Sequence, residues 1–421
     1  MNTLKQLEDG AYQGATRLAL AQELTDFPEA IFTLADTLEI LDLSNNCLTS
    51  LPDDLHRLHR LKVLFVSNNH FTVLPAALGA CKNLEMIGFK ANRITHVPAC
   101  ALPAKLRWLI LTDNAIESLP EAIGERPYLQ KLMLAGNRLT ALPDTLARCH
   151  NLQLLRISAN QLTSFPRVLC KLPRLAWLAF AGNPFEPPAP LDSEWQVPKV
   201  RMDHLKCHDV LGRGASGVIW RASWRVNAYK MPKHVAVKVF HGSVTSDGYP
   251  RDELAIAVRV GAHANVVRTV GYVQSDEALA VVMKLIPSDY RNLGLPPSLH
   301  SCTRDTFAPN ERLSLADIAI LMVQMESVLA HLRVRQISHG DVYAHNALVN
   351  DEMQLLFGDF GAASYYGYLS EPIQQAIVAI EKRALGYFIE DLLSLCVDDQ
   401  SQSALAQLAY WRQQASMLIA S

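Results

Sequence analysis

Leu38-Glu39-Ile40-Leu41-Asp42-Leu43-Ser44-Asn45-Asn46 has the form L-x-x-L-x-L-x-x-N, and the same form, or a close apolar variant, starts again at Leu61, Leu84, Leu106, Leu129, Leu152 and Leu175. The starts are 23 residues apart except for one step of 22, and Asn recurs at the ninth position of every unit: Asn46, Asn69, Asn92, Asn114, Asn137, Asn160 and Asn183. A fixed period of this length is the mark of a solenoid. Each unit supplies one short strand whose alternate leucines point inward, and a turn at which Asn can bond the backbone of stacked neighbours. No unit buries its leucines alone; stacking does it.

Working outward, an apolar residue followed by Pro closes most units (Leu51-Pro52, Leu74-Pro75, Val97-Pro98, Leu119-Pro120, Leu142-Pro143, Phe165-Pro166). Proline stops the ladder and turns the chain along the convex side. Residues 1–37, in which Leu24, Phe27 and Pro28 look like a degenerate unit, are expected to cap the open end of the stack. Cys81 and Cys149 stand where other units have Leu58 and Leu172, so they read as small buried hydrophobes. The positions that face outward on the concave sheet are apolar, among them Phe65, Met86, Trp108, Ile110, Met133 and Trp177. Either the linker or the C-terminal half covers this strip, or it binds a protein partner through aromatic and Met anchors, the reading we favour.

The period ends at Asn183-Pro184, and five prolines fall between Pro184 and Pro198. That composition suits neither helix nor central strand, so 186–204 is expected to be a linker. Beyond it, Leu211-Gly212-Arg213-Gly214-Ala215-Ser216-Gly217 fits a glycine loop whose backbone can approach phosphates. Val218-Ile219-Trp220 continues it as a strand, against a dinucleotide-binding helix. Val235-Ala236-Val237-Lys238 buries its valines and presents the lysine. Pro250 suits the first turn of a helix running through Glu253 to a Gly261 stop, which brings Glu253 to Lys238, with Asp252 as a fallback partner. The segment Ile286–Asn310 is loop-like and yields no role. Ser314-x-x-Asp317 opens a helix of some five turns as a capping box. His339-Gly340-Asp341-Val342-Tyr343-Ala344-His345-Asn346 then fits H-x-D-x-x-x-x-N, and a strand from Leu355 to Phe357 leads to Asp359-Phe360-Gly361. In such a set Asp341 orients or deprotonates an acceptor hydroxyl, while Asn346 and Asp359 offer oxygen to a hard cation.

Residues 38–185 resemble the leucine-rich-repeat family, residues 205 to about 400 resemble the protein-kinase family, and the whole chain is similar to bacterial leucine-rich-repeat kinases. The resemblance implies an α/β leucine-rich-repeat solenoid followed by an α+β bilobal protein-kinase-like domain over 205–421. It implies ATP and Mg as cofactors and transfer of the γ-phosphate to a protein hydroxyl, serine or threonine in our reading. It places nucleotide contact on Gly212, Gly214, Gly217, Ile219, Ala236, Lys238 and Met283, ion pairing on Glu253, catalysis on Asp341 and metal binding on Asn346 and Asp359. Three departures stand out. Gly340 replaces the Arg that receives an activation-loop phosphate, Tyr343 replaces a phosphate-contacting Lys, and His345 stands where tyrosine kinases place Arg. The activation segment is short: Glu381-Lys382-Arg383-Ala384-Leu385-Gly386 reads as the start of the helix that carries a buried Asp, and the usual distal helices of the large lobe are not expected in the residues that follow it. A small-molecule phosphotransferase of the aminoglycoside-kinase type and a nucleotide-binding pseudokinase scaffold are the competing readings.

Lys and Arg total 39 against 41 acidic residues, which leaves no broad basic field for nucleic acid or anionic lipid. The N-terminus lacks the apolar core of a signal peptide, and no run of about 18 consecutive apolar residues occurs. The eight cysteines include no C-x-x-C pair, against a zinc or redox motif. The expectation is a cytoplasmic protein.

Overall fold

The computed structural model describes residues 2–187, 197–214, 216–228, 231–397 and 401–421. They divide into two compact units, one of residues up to Leu175 with Asn183–Phe185, the other of Ala176–Gly182 with Glu186–Ser421.

The first unit opens with helix α1 (Leu4–Glu8), capped by Thr3 and Gln6 in a reciprocal box. Seven strands follow in sequence order as a parallel sheet: β1 (Arg17–Ala19), β2 (Ile40–Asp42), β3 (Val63–Phe65), β4 (Met86–Gly88), β5 (Trp108–Ile110), β6 (Lys131–Met133) and β7 (Leu154–Arg156). Their middle residues stand in one register, Leu18, Leu41, Leu64, Ile87, Leu109, Leu132 and Leu155, and all are fully buried. The cap thus contributes a strand of its own, β1. Asn137 shows what the repeating asparagine does: its Oδ1 accepts from Ile116 N–H at 3.0 Å, and its Nδ2 donates to Leu111 O at 2.8 Å and Leu134 O at 2.9 Å. Strands this short leave backbone groups unpaired at their ends, and a buried amide satisfies them across the repeat boundary. Pro75, Pro98, Pro120, Pro143 and Pro166 each precede a short 3-10 helix. Cys81 and Cys149 are buried, and desolvation pushes both thiols up to about 11, as inert hydrophobes require.

The second unit takes in strand β8 (Trp177–Ala179). Next comes a five-stranded antiparallel sheet in the order β12-β13-β11-β10-β9, built from β9 (Leu205–Gly214), β10 (Gly217–Trp224), β11 (His234–Phe240), β12 (Thr269–Gln274) and β13 (Leu279–Lys284), with helix α2 (Pro250–Val260) between β11 and β12. Alternation on β11 sends Val235 and Val237 into a core with Ala222, Val273 and Val282. Phe240, on the opposite face, packs with Leu254 and Val258 of α2. The proline-rich stretch is not wholly a linker: Val200 N–H donates to Tyr272 O at 2.7 Å and Tyr272 N–H to Pro198 O at 3.2 Å, so residues 197–204 belong to this unit, whereas 188–196 lie outside the described residues.

The remainder is mostly helical: α3 (Leu315–Val334), α4 (Glu371–Leu393) and α5 (Gln402–Ala420). A small sheet orders β14 (Arg291–Asn292) beside β16 (Ala347–Val349) and β17 (Leu355–Phe357), while β15 (Ile337–Ser338) pairs with β18 (Ser364–Tyr365). Ser314 caps α3 as expected, accepting from Asp317 N–H at 3.1 Å. By length and composition α3 is apolar enough to cross a membrane; its Ile318, Leu321, Met322, Met325, Val328 and Leu332 are fully buried in the unit. Helix α4 begins ten residues before Glu381, so that residue sits mid-helix and not at a helix start.

Candidate active site

The concave strip is narrower than the sequence implies. Phe65, Trp108, Ile110 and Met133 are half-buried. The Phe65 ring lies over Gly88, its Cδ1 2.6 Å from where a Cβ would stand, and Lys131 Nζ sits 4.2 Å from the Trp108 ring centroid. Met86, however, is 3% exposed, and it is no surface anchor. Trp177 is 1% exposed and is spent inside the second unit.

In that unit the sheet register assembles the expected nucleotide contacts. Ile219 stands opposite Lys238, and Ala236 opposite Met283, so alternation puts all four on one face. That face is also the one toward α2, and Lys238 Nζ reaches Glu253 Oε1 in a buried ion pair. Pro250 at the first turn sets the phase of α2 that turns Glu253 inward. Asp252, the fallback, makes no contact with Lys238 among those described and pairs with Arg251 at 3.7 Å. A Cβ at Gly217 would come within 2.4 Å of Val239 O, whereas around Gly212 and Gly214 nothing lies within 4 Å of one. Gly217 is therefore required by the hairpin itself, and the other two leave open space over the cleft.

Asp359 brings its Oδ1 to 3.7 Å from Lys238 Nζ. Desolvation works against its charge, but Lys238, the Gly361 N–H and the nearby His339 and His345 outweigh it and hold the carboxyl below the ordinary range. Lys238 is held above its ordinary range by Asp359 and Glu253 despite its own desolvation. Asn346 Nδ2 donates to Asp341 O at 3.0 Å and to Asp341 Oδ2 at 3.2 Å. Lys238, Glu253 and Asp359 form one polar group and Asp341 with Asn346 a second, and the backbone ties the two together, Gly358 N–H donating to Asn346 O at 3.2 Å one residue before Asp359. These groups would suit a nucleotide and magnesium: an ammonium for phosphate, amide and carboxylate oxygens for the cation, and open backbone at Gly212 and Gly214.

Several residues that hold this cleft were not legible in the sequence. Glu381 of α4 accepts from His339 N–H at 2.5 Å and from Ser338 Oγ at 3.3 Å; burial pushes its carboxyl up to about 7, with the His339 N–H opposing. His339 Nε2 lies 3.1 Å from Gly358 O, tying the loop that carries Asp341 to the strand before Asp359. The segment without a role proves to be a clamp. Asp305 accepts from Ala344 N–H at 2.6 Å and His345 N–H at 3.2 Å and lies 2.6 Å from His345 Nδ1, while Asn292 Nδ2 donates to His345 O at 2.8 Å. That pairing raises the His345 pKa against the opposing effect of desolvation. Arg304 pairs with Asp391 at 2.6 Å and Glu390 at 2.9 Å on α4. No local pattern marks Asp305 or Arg304, since their partners lie about 40 and more than 80 residues away.

Residues 205–379 match the family model for protein tyrosine and serine/threonine kinases, and residues 18–71 and 127–185 match that for the leucine rich repeat. The chain carries leucine-rich repeats followed by a protein kinase domain. Fibroblast growth factor receptor 1 of Xenopus laevis is 25% identical over 184 residues, 41% of this chain and 22% of its own length. Serine/threonine-protein kinase PkaA of Streptomyces coelicolor is 32% identical over 168 residues, 36% of this chain and 28% of its own length. The chain thus spans about a quarter of the length of such relatives. Among solved structures, a leucine-rich-repeat protein of Leptospira interrogans is similar with a TM-score of 0.33 and 23% identity, over 44% of this chain and 65% of that one.

Proposed function

We propose that the chain is an ATP- and magnesium-dependent protein kinase that transfers the γ-phosphate to a serine or threonine hydroxyl, with its repeats engaging a protein partner. The observation that carries this reading is the pairing of two polar groups: the buried Lys238–Glu253 pair with Asp359 3.7 Å from Lys238, and Asp341 bonded to Asn346, whose backbone O accepts from Gly358 N–H at 3.2 Å next to Asp359. A scaffold has no need to retain a charged lysine at the cost of burying two ions.

Lys238 would bind nucleotide phosphate oxygens, held in place by Glu253. Asn346 and Asp359 would hold magnesium, which when bound neutralises charge on the transferring phosphoryl group. Asp341, aimed by its bond from Asn346, would orient the acceptor hydroxyl and take its proton. Likeness to PkaA at 32% identity supports serine or threonine as acceptor, and likeness to a receptor tyrosine kinase of Drosophila melanogaster at 29% identity makes tyrosine the alternative that the test distinguishes. The four half-buried apolar residues Phe65, Trp108, Ile110 and Met133 offer a partner a rigid apolar strip. All eight cysteines are free, which supports the cytoplasm as the compartment.

The test is incubation of the full chain with radiolabelled ATP, magnesium and a generic protein substrate, beside Asp359→Ala, followed by phosphoamino-acid analysis. Label on serine or threonine that disappears in the variant is expected. Label on tyrosine overturns the acceptor class, and absence of transfer despite ATP binding overturns the kinase reading in favour of a scaffold or small-molecule phosphotransferase.

A further inference from the structure

We propose that Trp177, which lies outside the span matching the kinase family, is a positioning residue for phosphoryl transfer and acts by holding the peptide that follows the catalytic Asp341. The inference rests on the kinase reading above. Its basis is the stretch Trp177–Phe180, which belongs to the second unit although the repeat period assigns it to the solenoid.

The indole is 1% exposed, and its only polar atom, Nε1, donates to Val342 O at 3.1 Å. Its ring is stacked on Tyr343 with centroids 4.6 Å apart and planes at 9°, and on Tyr387 of α4 at 5.3 Å and 24°. The column extends in both directions: His345 stacks on Tyr343 at 4.9 Å, and the Arg304 guanidinium lies 4.8 Å from the Tyr387 centroid. Adjacent residues Arg304 and Asp305 thus grip its two ends, Asp305 through the bonds to Ala344 and His345. Trp177 is the middle layer.

The same stretch touches both loops of the cleft. Phe180 N–H donates to Ser364 Oγ at 3.0 Å, three residues beyond Gly361. Gly340 adopts φ +69°, and a Cβ there would lie 2.5 Å from Leu178 O and 2.6 Å from Ala362 O. The glycine that departs from the kinase pattern is therefore demanded by the backbone of residue 178, which occupies the space a side chain would need. Residues 177–180 stand between the loop carrying Asp341 and the segment following Asp359, and transfer requires these two carboxylates in register. An aromatic that only filled the core would leave its N–H free to bond anywhere; this one is fixed to the residue after the catalytic aspartate.

The experiment compares full-chain Trp177→Phe and Trp177→Ala with wild type by kcat, KM for ATP and thermal midpoint. Trp177→Phe keeps a ring in the column and removes the bond to Val342. We expect kcat to fall about tenfold with KM for ATP unchanged, because the glycine loop and Lys238 lie on the other sheet, and the thermal midpoint to move by only a few degrees. Trp177→Ala should lose about a hundredfold in kcat, and if it does not fold, the Phe variant decides. Wild-type kcat in Trp177→Phe overturns the inference, as does a fall in kcat accounted for by the unfolded fraction alone. Absence of transfer by the wild type overturns the kinase reading and the inference together, an outcome distinct from active protein indifferent to Trp177.

Discussion

The asparagines of the first unit and the polar residues of the second do similar physical work in opposite ways. Asn69, Asn92, Asn114 and Asn137 each link their own turn to the preceding repeat through the same two kinds of bond, with Oδ1 accepting from a backbone N–H and Nδ2 donating to carbonyls. Glu381, Asp305, Asn346 and His339 each hold one particular point of one loop. A repeated bond builds a scaffold in which any one rung resembles the next. A set of unique bonds builds a cleft in which each loss displaces a different atom.

The largest effect expected from this contrast is on the unique side. Asp341→Asn should lower transfer by about a thousandfold, since a positioned base contributes roughly 10²–10⁴, with the thermal midpoint almost unchanged; a turnover assay beside calorimetry checks both. If activity survives, the cleft is not catalytic and the contrast fails. On the repeated side, Asn137→Ala leaves the buried Ile116 N–H unpaired, while Leu111 O and Leu134 O keep the bonds from Asn114 Nδ2 and Asn160 Nδ2; the loss should cost about 2 kcal/mol by urea denaturation while kcat per folded molecule stays at wild type. Asn92→Ala should cost a similar amount, and a severalfold disagreement between the two would show that the rungs are not equivalent.

Glu381 gives an effect of intermediate size that depends on pH. Its folded pKa, pushed up to about 7 from the ordinary 4.5, means that the native state holds a proton the unfolded chain has released. Its contribution is therefore full below about pH 4.5 and is lost as pH rises through about 7. Glu381→Gln cannot titrate, so its stability relative to wild type should improve by about 2 kcal/mol between pH 5 and pH 8. Glu186, pushed to about 7, and Asp252 and Asp391, each to about 6, slope the same way but cancel in the difference between variant and wild type. A flat difference across that range rejects the assignment. The smallest effect belongs to the concave strip. Phe65→Ala should cost about 1 kcal/mol, because the ring is half-buried over Gly88, and should leave phosphorylation of a generic substrate unchanged.

The repeats and the order of the kinase elements could be read from the chain because their signals are local. A leucine every second position on a three-residue strand, a Pro after Leu, and a Ser-x-x-Asp cap each depend on neighbours within a few residues. The register of β10 and β11, which gathers Ile219 and Lys238 on one face, follows from the same alternation. Trp177 was misplaced for the matching reason: its position in the repeat predicts a concave, outward side chain, and nothing near it announces Tyr343 and Tyr387. Met86 fails likewise, since alternation tells which face a residue takes and not what closes over that face.

The sequence by itself determined that this chain stacks leucine-rich units and carries Lys238, Glu253, Asp341, Asn346 and Asp359 in the order of a kinase, because spacing and periodicity are properties of the covalent chain. Only the tertiary structure decided that residues 176–182 leave the first unit for the second, that Gly340 is enforced by the Leu178 carbonyl, and that the loop around Asp305 clamps the loop that carries Asp341. Those outcomes turn on where two surfaces close and which buried polar groups must find partners there. That is settled by desolvation and excluded volume among residues tens to hundreds of positions apart, which no local pattern records.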